Sequence, residues 1–306
     1  MSGTEGISWQ VRLSNIFILD QVGEILADRG WPREIWDAAT MSATQSHFYK
    51  YRSLENQQIA EYVRKTILDN EVYFSDPTTF NDPFDFVPSY KLFSGDLMDR
   101  IQIARVASAA RPKDSGRQSD EDRFARARIL EEAVFEAGRT VASQHGVYCL
   151  TVSPDNILMW SHYANYHRGI CLRFSTRAYG VRKADRFVTP HRLIFRAAHP
   201  VRYSFERPSS DILFDGSEKR IVDLMMTKSI DWKYEQEWRI IARTGSGIYR
   251  FPPSYLDGII LGARISSDDT NQLLGWVSAS GRKIEILKAH LNNSAFKIDL
   301  GLFNRG

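Results

Sequence analysis

The sequence predicts an α+β domain built around a mostly antiparallel, split sheet, with an N-terminal helical extension and a helical insertion. Two observations indicate this fold: helical periodicity prevails before about residue 145, and short apolar strand patterns follow one another closely from Gly146 onward. With 306 residues the chain can bury one substantial core. We therefore expect a helical extension over residues 1–45 and a single α+β domain over residues 46–306.

The first half of the chain predicts two short strands, a long helix and the insertion. Aromatic alternation predicts a strand at His47–Arg52, an apolar stripe predicts a helix at Leu54–Asn70, and Val72–Ser75 is typical of a short strand. The insertion is expected at about 91–145. Within it, residues 100–128 carry eight Arg and Lys against four Asp and Glu, which favours a solvated helical surface over a nucleic-acid site.

The second half of the chain is rich in short strand patterns. Strands are predicted at Val147–Val152, Gly169–Phe174, Leu193–Phe195, Val201–Tyr203, Trp238–Ala242, Gly258–Leu261, Lys283–Ile286 and Phe296–Leu300. Helices are predicted between them at Ile157–Ala164, Arg220–Thr227 and Asp268–Ser278.

The composition indicates a soluble cytoplasmic protein without a membrane partner. A formal charge of +3 is too small to identify a nucleic-acid-binding protein, and 43% apolar residues is ordinary for a globular domain. Cys149 and Cys171 are the only cysteines, so a disulfide framework is not expected. The N-terminus lacks the pattern of a secretory signal, and no stretch reaches the roughly 20 apolar residues that span a bilayer.

The most informative feature is a pair of glutamates within residues 234–241, Tyr-Glu-Gln-Glu-Trp-Arg-Ile-Ile. In an extended strand Glu235 and Glu237 would share a face, where like charges repel each other. Such paired carboxylates can bind metals, act as general acid and base, or stabilise a cationic sugar transition state. The alternative is a solvent-facing edge strand in which Arg239 neutralises one carboxylate.

Three further clusters contain candidate functional residues. In Tyr49-Lys50-Tyr51-Arg52, the guanidinium of Arg52 could hold a phosphate, or it could be a buried structural arginine. In Phe80-Asn81-Asp82-Pro83-Phe84-Asp85, turn formation explains most of the composition. Asp82 and Asp85 could join a metal site, but no His or Cys stands at ligand spacing beside them, so turn and capping roles are favoured.

The third cluster runs from Met159 to Gly169 and contains aromatic residues at helical spacing. Trp160 and Tyr163 are three residues apart and would share a helix face, either as a shelf for a flat ring or as core packing. His162 and His167 are five apart, a poor spacing for two zinc ligands, so no metal site is predicted. The sequence also lacks the glycine-rich phosphate loop, the dinucleotide fingerprint and the common hydrolase motifs.

Together the four clusters resemble a bacterial family called domain of unknown function 2971. The shared motifs are Tyr-Lys-Tyr-Arg, Phe-Asn-Asp-Pro-Phe-Asp, Met-Trp-x-x-Tyr-Ala with a following His-x-Gly, and Trp-x-Tyr-Glu-x-Glu-Trp-Arg. They lie at residues 49–52, 80–85, 159–169 and 232–239. The resemblance covers about residues 47–300 and implies no particular activity.

The order of the motifs is also similar to that of ADP-ribosyltransferases, especially those that modify nucleic acids. In those enzymes a first strand with His or Arg precedes a helix, a middle strand carries Ser or an aromatic residue, and a late strand presents Glu before an apolar run. Here these positions correspond to Arg52, to Tyr163 (or Thr151 or Ser153) and to Glu237. The resemblance implies an ADP-ribosyltransferase-like fold and NAD as substrate.

The same resemblance implies roles for individual residues. Glu237 would stabilise the ribose cation that forms when the nicotinamide bond breaks, and Glu235 would orient or deprotonate the acceptor. Tyr49 or Arg52 would hold NAD, and the choice between them stays open because the first motif reads Tyr-Lys-Tyr-Arg. Trp160 or Tyr163 would pack on the nicotinamide. No Ser-Thr-Ser motif is present.

The leading hypothesis is thus an NAD-dependent ADP-ribosyltransferase acting on a macromolecule, nucleic acid or protein, in a toxin or phage-defence setting. One alternative is a metal-dependent nuclease that uses Asp82, Asp85, Glu235 and Glu237. Another is a non-catalytic ligand-sensing or interaction module. Burial of Trp160 and Trp232 away from a cleft, together with an ion pair at Glu237, would favour the module.

Overall fold

The computed structural model describes residues 45–87, 129, 132, 135–136, 138–176, 195, 198–208 and 223–304. The chain divides into two compact units: residues 1–76, 145–201 and 231–306 form the first, and residues 77–144 and 202–230 form the second. The extension predicted over residues 1–44 and most of the insertion predicted at 91–145 lie outside the described residues. Of that insertion, residues 138–143 are helical.

A mostly antiparallel sheet forms the centre of the first unit. Its eight strands, counted over the described residues, are β1 (His47–Arg52), β3 (Gly146–Thr151), β4 (Ile170–Ser175), β5 (His199–Pro200), β8 (Glu237–Ala242), β10 (Leu256–Leu261), β11 (Glu285–Leu291) and β12 (Ile298–Leu302). Their order in space is β12-β11-β10-β4-β1-β3-β8-β5, and β10 and β11 are the parallel pair. The strands β2 (Glu71–Phe74) and β9 (Gly247–Arg250) form a separate antiparallel pair.

In the described part of the first unit, three helices pack beside these strands, and each begins at a polar cap. They are α1 (Gln57–Leu68), α2 (Ile157–Tyr163) and α3 (Ser267–Ala279). The side chain of Asn56 accepts from the backbone N–H of the second residue of α1, and Asn156 and Ser266 cap α2 and α3 in the same way. Helix α3 connects β10 to β11, the crossover that a parallel strand pair requires.

The sheet carries a hydrophobic cluster on each face. Successive side chains of a strand point to opposite faces, and on β4 Cys171 belongs to the smaller cluster whereas Leu172 belongs to the larger one. Trp160 of α2 lies in the smaller cluster and meets Tyr51 edge-on, with ring centroids 5.0 Å apart. Helix α2 therefore covers the face that the smaller cluster occupies.

A close approach of backbones joins α2, β1 and β4. Gly169 lies immediately before β4, and a Cβ atom added to it would overlap the carbonyl oxygen of Arg52 and contact Ala164. Only glycine therefore lets the chain pass between the end of α2 and the last residue of β1. This contact fixes where Arg52 lies relative to α2.

The described part of the second unit contains a turn and a short parallel strand pair. The strands are β6 (Arg202–Ser204) and β7 (Thr227–Ser229). In the turn, the backbone N–H of Phe84 donates to the Asp82 carboxylate at 2.9 Å, and Asp85 N–H donates to the Asp82 carbonyl at 3.2 Å. The predicted turn role of Asp82 is confirmed.

The predicted α+β class with a mostly antiparallel sheet is confirmed, and several element predictions need correction. Thr227, predicted to end a helix that began at Arg220, starts β7; of that helix, residues 223–225 are helical. Phe195, predicted as the end of a strand, lies in a 3-10 turn. Strand β9 was not predicted, because its four residues Gly-Ile-Tyr-Arg carry a weak strand pattern. None of the helices in the described part of the chain is long and apolar enough to cross a membrane.

Candidate functional site

The two glutamates lie on different elements, so the prediction that they share one strand face is wrong. Glu235 is the last residue of a 3-10 helix, Ile230–Glu235, and β8 begins at Glu237. Between them Gln236 has a φ of 44°, in the left-handed region, and its N–H donates to the Lys233 carbonyl at 3.2 Å. The tight turn interrupts the strand alternation on which the prediction rested.

Glu237 forms a two-point ion pair with Arg239. The Arg239 Nε donates to Glu237 Oε1 at 2.8 Å, and a terminal nitrogen donates to Oε2 at 3.0 Å. Both side chains are buried, with exposures of 4% and 0%. The predicted neutralisation by Arg239 is confirmed, but the solvent-facing edge strand is wrong, because all six residues of β8 are buried and β8 lies between β3 and β5.

The second glutamate is held by α2. The Tyr163 hydroxyl donates to Glu235 Oε1 at 2.6 Å, and the Glu235 side chain is buried. Asn156, which caps α2, also donates from its side chain to the Tyr234 carbonyl at 2.7 Å. Both ends of α2 are therefore bound to the 3-10 helix, and this fixes Glu235 against the sheet.

Lys50 of β1 brings a positive charge to the two carboxylates. Its ammonium donates to the Cys149 carbonyl at 2.6 Å and lies 5.1 Å from the centre of the Tyr148 ring. Burial and then the positive charge of Arg52 lower the pKa of Lys50, whereas Glu237 and Glu235 act in the opposite direction, and the resulting pKa is about 8. All three charges are therefore within electrostatic reach of the Lys50 ammonium.

Cys149, whose carbonyl accepts the hydrogen bond of Lys50, is not a candidate nucleophile. Burial, followed by the negative charge of Glu237, raises the pKa of the Cys149 thiol far above its ordinary value. A thiol nucleophile must ionise. Cys171, the other free cysteine, is also buried, and this burial raises its pKa.

A half-buried histidine lies beside the ion pair. His199 of β5 is paired in register with Arg239. Burial lowers the pKa of His199 to about 4, so its ring is neutral near pH 7. Its Nε2 atom is buried and has no hydrogen-bond partner among the described residues.

The residues predicted to contact NAD occupy three different environments. Arg52 is half-buried at the end of β1, and its charge reaches Lys50. Tyr49 is half-buried; burial raises its pKa, and Arg173 of β4 lowers it. Trp160 is fully enclosed and its indole N–H donates to the Pro154 carbonyl at 2.9 Å, as expected of a core residue. Trp232, whose burial would favour the non-catalytic module, is half-buried.

We call Lys50, Tyr163, Glu235, Glu237 and Arg239 the carboxylate site. The structure thus brings the two predicted glutamates and Tyr163 together, and it adds Lys50, which was outside the predicted set. The sequence does contain a signal for Lys50: a cation in a strand that is otherwise aromatic and continues into Arg52. A buried pair of carboxylates beside the buried Arg239 and the half-buried Lys50 can accept hydrogen bonds from hydroxyl groups and stabilise positive charge.

The described residues contain no group of three or more His, Cys, Asp and Glu side chains arranged to hold a metal ion. Asp82 and Asp85 belong to the second compact unit, whereas Glu235 and Glu237 belong to the first. The four acidic residues of the nuclease alternative are thus divided between the two units.

We expect Lys50 to make the stability of the protein depend on pH. Because its pKa is about 8 in the folded protein and 10.5 ordinarily, the unfolded chain binds more protons between these values, and stability rises with pH across this range. Relative to a Lys50→Met variant, the wild type should gain on the order of 1–3 kcal/mol of unfolding free energy from pH 7.5 to 10, less than the full shift implies because the side chain is partly exposed. Denaturant unfolding of both proteins at several pH values measures the gain, and parallel pH curves would contradict it.

Residues 159–240 match the model of a family described as "Protein of unknown function (DUF2971)". The match begins on α2 and ends within β8, so it includes Tyr163, both glutamates and Arg239. It confirms the predicted resemblance to that family over these residues, which contain the motifs at 159–169 and 232–239; the motifs at 49–52 and 80–85 lie outside the match. Comparison with curated proteins and with solved structures gave no match.

Proposed function

We propose that this chain, whose residues 159–240 match the DUF2971 family, is an NAD-dependent ADP-ribosyltransferase that modifies a macromolecule. The same proposal includes the fold, a split sheet like that of ADP-ribosyltransferases. The observation that carries it is the position of Glu237: a buried carboxylate, fixed by Arg239 at the start of β8, with a second buried carboxylate two residues before it.

The proposed reaction needs a fixed negative charge near the ribose. The bond between ribose C1′ and the nicotinamide nitrogen breaks, nicotinamide leaves with the electron pair, and positive charge develops on the ribose. A nucleophilic atom of the acceptor then bonds to C1′ and loses its proton. The products are nicotinamide, the ADP-ribosylated acceptor and that proton.

Glu237 is suited to stabilise this charge because Arg239 holds it rigidly. A carboxylate has about four lone-pair positions on its two oxygens, so Glu237 can accept from ribose hydroxyls while it keeps both bonds to Arg239. Since the carboxylate is already oriented, little reorganisation energy is needed when the transition state forms. In this proposal Glu235 receives the proton of the acceptor, and the Tyr163 hydroxyl orients it.

The cations at the end of β1 complete the proposed substrate site. NAD carries two phosphates, and Arg52 and Lys50 supply two neighbouring positive charges. Their mutual repulsion would fall when an anion binds between them. In this proposal Tyr49 on β1 and Trp160 in the smaller hydrophobic cluster hold the substrate site in position. Tyr163 lies against the nicotinamide.

The test is release of nicotinamide from NAD by the purified protein, with and without single-stranded nucleic acid or protein as acceptor. We expect turnover by the wild type and an approximately tenfold or greater loss in Glu235→Gln, which keeps the shape but removes the base. Tyr163→Phe should lose less, because it removes only the hydroxyl that orients Glu235. Glu61→Gln, a change at an exposed carboxylate of α1, is the matched control and should turn over normally.

Two outcomes would contradict the proposal. One is the absence of nicotinamide release with every acceptor class from a protein that is folded. The other is turnover by Glu235→Gln that equals turnover by Glu61→Gln. Activity that requires a divalent metal and persists without NAD would instead favour the nuclease.

A non-catalytic ligand-binding module is the second candidate, and two observations favour it. Both oxygens of Glu237 are engaged by Arg239, and Trp160 is enclosed in the core, so these motif residues also serve the fold. Calorimetric titration with NAD separates the two candidates. Binding of NAD without release of nicotinamide would support the module, and release during the titration would support the transferase.

A further inference from the structure

A serine, a histidine and an aspartate form a hydrogen-bonded chain at the start of β1, and none of them belongs to the carboxylate site. The Ser46 hydroxyl lies 3.0 Å from His47 Nδ1, and His47 Nε2 lies 3.1 Å from Asp257 Oδ2. Ser46 is exposed and immediately precedes β1, whereas Asp257 lies on β10. A hydroxyl, an imidazole and a carboxylate in this order can make a serine nucleophilic. Such triads are recognised by geometry, so the lack of the common hydrolase motifs does not exclude one.

The hydrogen bonds of His47 determine which of its ring nitrogens carries the proton. Burial alone would raise the pKa of Asp257, but hydrogen bonds from His47 and Arg173 lower it below its usual range, so the carboxylate is ionised near pH 7 and can only accept. The proton between His47 and Asp257 therefore belongs to Nε2, and Nδ1 of the neutral ring accepts from the Ser46 hydroxyl. A general base requires this direction of the hydrogen bond. The two nitrogens have the reverse of their roles in the chymotrypsin triad, where Nε2 is the base.

Asp257 is itself held in place by a side chain of β4. Arg173 Nε donates to Asp257 Oδ1 at 2.8 Å, and a terminal nitrogen of Arg173 donates to Glu285 Oε2 at 2.9 Å. A Cβ atom added to Gly258 would lie 2.7 Å from the guanidinium carbon of Arg173, so this glycine leaves the room that the arginine occupies. The imidazole is therefore oriented by an aspartate whose own position is fixed, as in serine hydrolases.

A backbone N–H beside the nucleophile can serve the same chemistry. In an antiparallel pair, alternate residues of a strand form hydrogen bonds to the same neighbouring strand. The Ser46 carbonyl accepts from the N–H of Thr176, which follows β4, so the N–H of His47 points to the opposite side of β1. On that side the pairing with β3 begins at Tyr49. The N–H of the residue after a nucleophilic serine is a usual donor to the oxyanion of acyl transfer.

The charges around His47 indicate the class of substrate. Asp257 and Glu285 form ion pairs with the single guanidinium of Arg173, so two carboxylates against one cation leave a net negative charge. This charge repels anionic substrates such as phosphate esters. The ring of Tyr49, half-buried and 6.5 Å from the His47 ring, offers an apolar contact instead. The surroundings therefore favour a neutral ester.

We propose that Ser46, His47 and Asp257 hydrolyse a neutral carboxylic ester, an activity that does not depend on NAD. The Ser46 oxygen bonds to the carbonyl carbon while its proton passes to His47 Nδ1, and the ester bond then breaks as the alcohol leaves with that proton. Water attacks the acyl-serine, one of its protons returns through Nδ1 to the Ser46 oxygen, and the carboxylic acid leaves. Asp257 stays ionised and stabilises the imidazolium that forms in each step.

The test is covalent labelling of the full chain with a fluorophosphonate probe, which reacts with serine hydroxyls that a base activates. Peptide mass spectrometry then locates the label, which we expect on Ser46 of the native protein and not after denaturation in urea. Hydrolysis of p-nitrophenyl acetate is measured in parallel, without NAD. We expect its rate to fall by about 10²-fold or more in Ser46→Ala, in His47→Gln and in Asp257→Asn.

Matched controls come from a serine and a histidine elsewhere in the first unit. Ser294→Ala removes an exposed hydroxyl that lies 3.1 Å from the side-chain oxygen of Asn292, so an amide stands where Ser46 has an imidazole. His290→Gln removes an exposed imidazole that lies in register with Asp299. Both variants should hydrolyse the ester as fast as the wild type.

The proposal is overturned if Ser46 of the folded protein takes no label. It is also overturned if Ser46→Ala hydrolyses the ester as fast as Ser294→Ala does. A loss of hydrolysis in His47→Gln that Ser46→Ala does not share would mean that His47 activates water, and this too would reject the serine nucleophile. Because NAD is absent from both measurements, their result is independent of the proposed transferase function.

Discussion

Replacing Arg239 by methionine is expected to lower the free energy of unfolding by about 3–5 kcal/mol. The reason is that the Glu237 carboxylate is buried and receives two hydrogen bonds from the guanidinium, so the variant would keep a buried negative charge without its main counter-charge. Denaturant unfolding monitored by the tryptophan fluorescence measures the loss.

The double variant Glu237→Gln/Arg239→Met should recover much of that loss, because it removes both charges together. Arg64→Met is the matched control: Arg64 makes a similar two-point pair with Glu61, but on the exposed surface of α1, and its loss should change stability little. Equal losses in Arg239→Met and Arg64→Met would show that burial of the pair contributes nothing.

Glu237→Gln is expected to lower the rate of nicotinamide release by about 10²–10³-fold, as removal of one electrostatic contact to a transition state usually does. Glutamine keeps the size of the side chain and can still bond to a ribose hydroxyl, but it carries no negative charge to balance the ribose cation. The loss should therefore appear in kcat, with the dissociation constant for NAD changed by only a few-fold.

The rate of nicotinamide release and the affinity for NAD must be measured on folded protein, because Glu237→Gln also weakens the ion pair with Arg239. Circular dichroism and unfolding curves establish the temperature at which Glu237→Gln is still native, and both measurements are made below it. Undiminished turnover by the folded Glu237→Gln variant would reject the role of this residue. A loss confined to NAD affinity would make Glu237 a binding group instead.

The sequence predicted most strands of the central sheet because they carry an apolar or aromatic pattern of their own, whereas β5, the dipeptide His199–Pro200, carries none and was not predicted. Strand β4, for example, is apolar at four of its six positions and buried at five, as is typical of a strand covered on both faces. Neutralisation of one carboxylate by Arg239 was part of the edge-strand alternative, and the structure shows that the partner is Glu237. What the pattern could not predict was the end of the strand, because the turn at Gln236 depends on one backbone angle.

The candidate site was predicted in part for a similar reason. Glu235 and Tyr163 were both selected, yet their hydrogen bond joins residues 72 positions apart, and no local pattern encodes such a contact. Lys50 was not among the predicted site residues, because a lysine on a strand usually lies in solvent. Its partial burial follows from the position of β1 between β4 and β3, which is a property of the sheet order and not of the strand.

The turn at Gln236 also separates the two glutamates by the element that holds each of them. Glu237 belongs to β8, which is hydrogen-bonded to strands on both sides, so shifting it would break the sheet. Glu235 ends a short 3-10 helix and is held by the hydroxyl of Tyr163, so its position depends on α2 and not on the strand pairing. The carboxylate site therefore takes one carboxylate from the sheet and the other from a helix contact, and a change at Tyr163 would disturb Glu235 while Glu237 stays in place.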